Sequence, residues 1–122
     1  QQQDCLSNAA GTVCGAPFEL QLDYLGNWSR TQWLGTSHIP AALLQLVDHL
    51  RQALEPCAVK IEKRHFVPHV TLSRKEKNPQ TQSGLEAISW RVDSFVLAES
   101  VSTTSGVRYA ALRRWRLAPA PD

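Results

Sequence analysis

The sequence predicts an α+β protein with a mainly antiparallel sheet and helices on one face. Most of its patterned segments alternate apolar and polar residues, as half-buried strands do, and short turns join several of them. Strands and helices do not alternate through the chain, which argues against a parallel βαβ sheet. The 122 residues, 43% of them hydrophobic, suit a single domain with its own core.

The first elements are a helix and two strands. Residues 1–11 carry apolar side chains at helical spacing and stop at Gly11, which is typical of a helix end. Residues 18–24 alternate strictly and predict a half-buried strand. The pair Gly26-Asn27 indicates a turn, and residues 31–35 predict a second short strand.

The strongest helix lies in the middle of the chain. Ser37 is a candidate N-cap, Pro40 suits an early helical position, and Pro56 follows the helix end. Six apolar residues recur between them at helical spacing: Leu43, Leu44, Leu46, Val47, Leu50 and Leu54. This stripe predicts one amphipathic helix with a single buried face.

The segments after this helix predict strands and one long loop. Residues 59–62 alternate, and residues 70–72 form a second strand that is entered through Pro68. Residues 75–84 are rich in Lys, Asn, Pro, Gln, Thr and Ser, which indicates an exposed loop.

The last third of the chain is β-rich. Residues 87–99 form a long β-like run, residues 102–106 indicate a turn, and residues 107–117 predict the final strand. The predicted order is α-β-β-α-β-β-β-β, with no internal repeat and no linker to a second domain.

Charge, cysteine content and the first residue narrow the class of protein. The formal net charge of +2 excludes a polybasic nucleic-acid coat. No apolar run approaches the ~20 residues that a membrane helix needs, and no secretory leader is visible. The sparse, odd set of Cys5, Cys14 and Cys57 indicates reduced thiols in the core and a cytoplasmic location. Because the chain begins at Gln1 without a Met, we expect it to be part of a longer polypeptide.

One segment, residues 64–74, carries residue types suited to phosphate chemistry. In a strand His69 and Thr71 point to one face, while Val70 and Leu72 are expected to point into the core. An imidazole exchanges a proton near neutral pH, and a hydroxyl donates to a phosphoryl oxygen. Arg74 lies close enough to add a charge-assisted donor. This combination favours phosphate ester chemistry.

The same segment resembles the second catalytic motif of the 2H phosphoesterases. It reads Arg-x-Phe-x-Pro-His-x-Thr-Leu-x-Arg, and the most similar branch is the 2′-5′ RNA ligase / RNA 2′,3′-cyclic phosphodiesterase (LigT-like) family. Residues 18–22 and 31–35 resemble that family's paired strands before its central helix. Residues 96–100, with Gly106 and Tyr109, resemble its C-terminal strand pair. The resemblance covers nearly the whole chain.

The resemblance implies a fold, a reaction and a set of site residues. The fold is two lobes of small antiparallel sheets with helices outside, and each lobe contributes one His-x-Thr motif. The reaction hydrolyses a terminal 2′,3′-cyclic phosphate of RNA to a 2′-phosphomonoester, with two imidazoles because attack and departure lie on opposite sides of phosphorus. His69 and Thr71 are then catalytic, and Arg74, Arg64 and Phe66 bind substrate. No metal and no cofactor is implied.

The sequence departs from the family in having a single His-x-Thr motif, at His69. The first motif is expected to be missing together with the N-terminal strands. The 122-residue chain alone is therefore expected to have negligible activity, and exposed strand edges are expected to favour self-association. The alternative function is a non-catalytic RNA- or nucleotide-binding remnant.

Structural interpretations stand beside these functional ones. A lone His is usually structural, and Thr71 is also a common strand residue. His65 and His69 with Cys57 allow a zinc site in principle, although the spacing is poor for chelation. The remaining candidates are core aromatics that could instead stack bases, and strand arginines that could instead contact RNA: Trp28, Trp33, Trp90, Trp115, Arg113, Arg114 and Arg116.

Overall fold

The computed structural model describes residues 2–57 and 66–118. They form two compact units. The helix–hairpin unit comprises the described parts of 1–17, 44–61 and 93–122, and the sheet unit comprises those of 18–43 and 62–92. Small antiparallel sheets and two α-helices confirm the predicted α+β class. No helix within these described ranges is long and apolar enough to cross a bilayer.

The sheet unit holds two antiparallel sheets, in the orders β1-β5 and β2-β3-β4. Its strands are β1 Phe18–Leu22, β2 Tyr24–Trp28, β3 Thr31–Gly35, β4 His69–Ser73 and β5 Ile88–Val92. The expected pairing of the strands at 18–22 and 31–35 is wrong, because β1 pairs with β5 and β3 lies between β2 and β4. Asp23 separates β1 from β2, and its backbone N–H donates to the carbonyl of Gly35 at 3.0 Å.

The predicted turn at Gly26 and Asn27 is also wrong, because both residues lie inside β2. The chain turns instead at residues 29–30, where Ser29 adopts a φ of 55°. Gly26 serves packing: a Cβ there would meet the ring of Trp33 at 2.5 Å. Glycine inside a strand thus marks a close approach of an indole to the backbone.

Loop 75–84 is exposed as predicted, yet side-chain and backbone hydrogen bonds hold it to the sheet. The buried amide of Gln32 donates to the carbonyls of Gly26 at 2.6 Å and Gln80 at 2.8 Å, and accepts from the N–H of Gln80 at 2.8 Å. Leu25 and Gln82 exchange two backbone hydrogen bonds of 2.8 and 2.9 Å. The loop therefore forms part of the sheet unit's framework.

The helix–hairpin unit contains most of α2 and the other helical elements, followed by a hairpin. Its elements are α1 Gln2–Ala10, α2 Ala41–Leu54, a 3₁₀ turn at Glu55–Cys57, β6 Ser94–Thr103 and β7 Gly106–Arg116. The first helix and the end of the central helix are confirmed. The predicted N-cap is wrong, because the Ser37 hydroxyl donates to Asp23 and α2 begins only after Pro40.

Two cysteines depart from the sequence prediction. Cys5 of α1 and the buried Cys57 form a disulfide, and Cys14 is free and exposed. The prediction of reduced thiols is therefore wrong for this pair, whose separation of 52 residues leaves no local pattern, and the prediction of a core position is wrong for the exposed Cys14. In the chain-entropy description such a cross-link stabilises the fold by about 4 kcal/mol.

The predicted single run at 87–99 is wrong, because Asp93 divides it into β5 and the first part of β6, and β6 forms a hairpin with β7. Its pairing extends from Thr103↔Gly106 to Ser94↔Arg116, with a register shift between Leu97 and Ala98. Most side chains of the hairpin are exposed, and four large apolar ones are exposed by at least 40%: Val96, Val107, Tyr109 and Leu112.

Candidate active site

His69 opens strand β4 at the end of the segment Phe66-Val67-Pro68. Antiparallel pairing places His69 opposite Gly35 and Thr71 opposite Trp33. Because directly opposed residues point to the same face of a sheet, His69, Thr71 and Trp33 share one face. The predicted common face of His69 and Thr71 is therefore confirmed.

One hydrogen bond fixes the protonation pattern of the His69 ring. Its Nδ1 lies 2.9 Å from the carbonyl oxygen of Val67. A carbonyl oxygen only accepts, so the neutral ring carries its proton on Nδ1 and presents the lone pair of Nε2. An exposed imidazole held in this way can take a proton at Nε2 without reorienting.

Aromatic rings surround the imidazole on its own face. The ring centroid of Trp28 lies 4.6 Å from that of His69 at 79°, and Trp33 lies 6.1 Å away at 63°. Trp33 occupies the space above Gly35, where a Cβ would meet its ring at 2.7 Å. The core interpretation of the tryptophans is correct for Trp33, which is 7% exposed, and wrong for Trp28 and Trp90, which are 46% and 49% exposed.

The other described site residues lie within β4 or close to its ends. Thr71 is half-buried within the strand, and Arg74 is exposed immediately after it. Phe66 borders an apolar hollow of about 280 Å³ together with Leu20 and Val70. The prediction that Val70 and Leu72 point into the core is wrong. They are 37% and 56% exposed on β4, which is an end strand of its sheet.

Sequence reasoning missed Arg30, which connects the β2–β3 turn to the chain after Arg74. The Arg30 guanidinium donates to the carbonyls of Glu76 at 3.3 Å and Lys75 at 3.4 Å, and its own carbonyl accepts from Glu76 N at 2.9 Å. This link keeps the turn beside Trp28 next to the basic segment that follows the motif. A polar turn residue gives no local signal of such a role.

Asp23 was missed as well, and it organises the loop after β3. It accepts from the Ser37 hydroxyl at 2.7 Å and from the Ser37 N–H at 2.8 Å. These hydrogen bonds favour the carboxylate, so they hold the pKa of Asp23 below its ordinary value.

Several predictions fall outside the described residues. Arg64, His65 and the strand predicted at 59–62 lie there. Within the described ranges, no three His, Cys, Asp or Glu side chains group closely enough to hold a metal ion. For the zinc alternative, Cys57 is bonded to Cys5 in this structure.

Comparison with known proteins points to one family. The model of the 2′-5′ RNA ligase superfamily matches residues 2–104. The RNA 2′,3′-cyclic phosphodiesterase of Escherichia coli K12 is 34% identical over 121 residues, which cover 96% of this chain and 68% of the relative.

Solved structures agree on the fold. The crystal structure of E. coli LigT complexed with 3′-AMP matches with a TM-score of 0.81 and 32% identity, covering 95% of this chain and 68% of that one. A structure described as a phosphoesterase matches with a TM-score of 0.83 and 31% identity, covering 97% of this chain and 70% of the other. The family model's match at residues 2–104 includes strands β1 to β6 and the motif segment that follows Phe66.

Proposed function

This chain belongs to the 2′-5′ RNA ligase superfamily, and we propose that it carries the His69–Thr71 half of the active site of an RNA 2′,3′-cyclic phosphodiesterase. This is a 2H phosphoesterase function, in which imidazoles move protons at a cyclic phosphate. The supporting observation is the held orientation of the His69 imidazole, whose Nδ1 is hydrogen-bonded to the Val67 carbonyl.

His69 acts as the general base in this proposal. Water that attacks the cyclic phosphate must lose a proton, and the free lone pair of Nε2 is placed to take it. The P–O bond to the 3′ oxygen then breaks, and that oxygen gains a proton from a second acid. The product is a 2′-phosphomonoester.

The remaining site residues bind the phosphate and its nucleotide. The Thr71 hydroxyl shares the face of His69 and donates to a phosphoryl oxygen. The Arg74 guanidinium adds positive charge after the end of β4. Arg64 and Phe66 are proposed to contact the rest of the substrate. Neither a metal nor a cofactor enters these steps.

The second proton carrier is a separate question, because the printed sequence contains a single His-x-Thr motif. We propose that the 122-residue chain alone turns over negligibly and gains activity when a second motif is supplied. The same observation favours a second candidate function, binding of RNA or nucleotide without turnover. The sequence match covers 68% of the E. coli relative.

The proposed partners are RNA ends that carry a 2′,3′-cyclic phosphate or a 2′-5′ linkage, in the cytoplasm. The proposed self-association uses exposed strand edges, such as that of β4, which ends its sheet among the described residues. Sedimentation of the 122-residue chain should show a dimer; a monomer at all concentrations would contradict this part.

Turnover of adenosine 2′,3′-cyclic phosphate tests the function. The assay compares the chain alone with a fusion to the part of the E. coli enzyme outside the match. Only the fusion should convert this substrate to adenosine 2′-monophosphate, and EDTA should leave the rate of turnover by the fusion unchanged. Full turnover by the chain alone would contradict the two-motif requirement, and loss of activity in EDTA with restoration by zinc would contradict the mechanism.

A further inference from the structure

We propose that Trp28 is a stacking platform for the nucleobase of the nucleotide whose phosphate lies at His69. The inference rests on the proposed function and deepens it, because it names the part of the substrate that the sheet unit recognises beyond phosphate. It assigns a ligand to an indole that contacts the motif and that the core does not enclose.

The first observation is the exposure of Trp28 beside the imidazole. Its ring lies 4.6 Å from the His69 ring, yet the residue is 46% exposed. An exposed indole offers a large flat apolar face on which a flat ligand can stack. Trp28 is an exposed indole in direct contact with the imidazole of the motif.

The second observation is that the indole packs against a buried ring. Trp33 packs against Trp28 with ring centroids 4.9 Å apart and is itself buried. Trp33 lies over Gly26, where any side chain would collide with it. Contact with the buried Trp33 thus limits the orientations open to the Trp28 ring.

The third observation is that hydrogen bonds hold the chain just before and just after Trp28. On one side, the Asn27 amide donates to the Gln80 carbonyl at 3.2 Å and to the Thr81 hydroxyl at 2.9 Å. On the other, Arg30 is bonded to the chain at residues 75–76. A platform built in this way loses little conformational entropy when a flat ligand stacks on it.

The chemistry of a terminal nucleotide fits this arrangement. Its phosphate and its base are separated by one ribose, and Trp28 is an immediate neighbour of the His69 ring. A phosphate at Nε2 of His69 can therefore place its base near the indole of Trp28. Stacking on an indole tolerates any base, but it favours the larger purines. The site is thus expected to select nucleotides over free phosphate, with little reading of sequence.

Equilibrium binding of 3′-AMP and of inorganic phosphate, measured by calorimetry or NMR on the 122-residue chain, tests the proposal. Trp28→Leu should weaken 3′-AMP binding about tenfold and leave phosphate binding within about twofold. Trp28→Phe keeps a smaller π-face and should weaken 3′-AMP by about threefold. The matched control is Tyr109→Leu, which removes an exposed aromatic ring from the β6–β7 hairpin, outside the hollow that Phe66 borders, and should change neither ligand.

His69→Ala separates failure of the inference from failure of the proposed function. It should weaken both ligands. If it does, and Trp28→Leu leaves 3′-AMP unchanged or weakens both ligands equally, the platform is refuted and the phosphate site stands. The same holds if Tyr109→Leu matches Trp28→Leu. If neither ligand binds, or His69→Ala has no effect, the proposed function fails and the platform with it. Should Trp28→Leu not fold, Trp28→Phe decides, and wild-type affinity for 3′-AMP in that variant refutes the platform.

Discussion

The β2–β3–β4 sheet and the β6–β7 hairpin are built from equally regular antiparallel pairing but differ in how they use side chains. The sheet encloses Trp33 at 7% exposure and holds its loop through the buried Gln32. The hairpin leaves Val107 and Tyr109 exposed by 53% and 62%. Register alone therefore does not make a core; side chains that interlock across the strands do.

This difference explains where chemistry can be placed. A proton carrier needs a fixed orientation, and His69, the carrier that we propose, is held by the Val67 carbonyl and contacts two indoles packed on the same sheet. The hairpin has one stacked pair, Phe95 and Trp115, with Arg113 over the latter ring. Its exposed apolar side chains offer a surface for contact rather than a rigid site.

The largest expected effect concerns the function that the sheet supports. In the fusion that carries a second motif, His69→Ala should lower kcat by about 10² to 10⁴, because a general base is removed. His49→Ala, on the exposed side of α2, should change kcat by less than about twofold. Loss below tenfold at His69 would place the proton carrier elsewhere.

The packing side of the comparison is tested next. Trp33→Ala should lower the free energy of unfolding by about 3–5 kcal/mol, since a buried indole leaves a cavity. Tyr109→Ala in the hairpin should cost less than about 0.5 kcal/mol in the monomer. Urea denaturation measures both values. Similar losses at the two positions would mean that the hairpin contributes a core of its own.

Two glycines sharpen the same point at smaller scale. Gly26→Ala should destabilise the protein by about 1–3 kcal/mol, because the new Cβ collides with Trp33. Gly84 has a φ of +70° with nothing within 4 Å of its absent Cβ, so Gly84→Ala should cost about 1 kcal/mol of backbone strain only. Thermal melts of the two variants compare packing with backbone conformation. The order of the two losses is the observation to check.

The smallest effect concerns Asp23, whose pKa lies below its ordinary value because Ser37 donates two hydrogen bonds. A lowered pKa stabilises the fold above the unfolded-state pKa, and this contribution disappears as pH falls through the folded-state value. Ser37→Ala should raise the pKa of Asp23 toward the ordinary range. Carboxyl NMR titration would show this, and an unchanged midpoint would assign the shift to another partner.

The sequence predicted elements wherever a local pattern matched local structure. Alternation located β1, and the two-residue period correctly placed His69 and Thr71 on one face. The sequence prediction failed where a contact with a residue distant in the sequence determines the local structure. In the sequence Gly26 resembles a turn residue. In the structure, its lack of a side chain makes room for the ring of Trp33.

The other misses have the same origin. Ser37 resembles a cap, but the Asp23 carboxylate accepts its hydrogen bonds. The bond between Cys5 and Cys57 spans 52 residues and leaves no trace in local spacing. The exposure of Leu72 depends on what packs on an end strand, which the strand's own pattern does not record.

The central claim is that His69 presents Nε2 to phosphate because its Nδ1–H is bonded to the Val67 carbonyl. Long-range ¹H–¹⁵N NMR of the imidazoles during a titration with inorganic phosphate tests it most directly. We predict that neutral His69 carries its proton on Nδ1, and that phosphate shifts its Nε2 while His38 and His49 stay unchanged. A proton on Nε2 of His69, or a phosphate response confined to another histidine, would contradict the account.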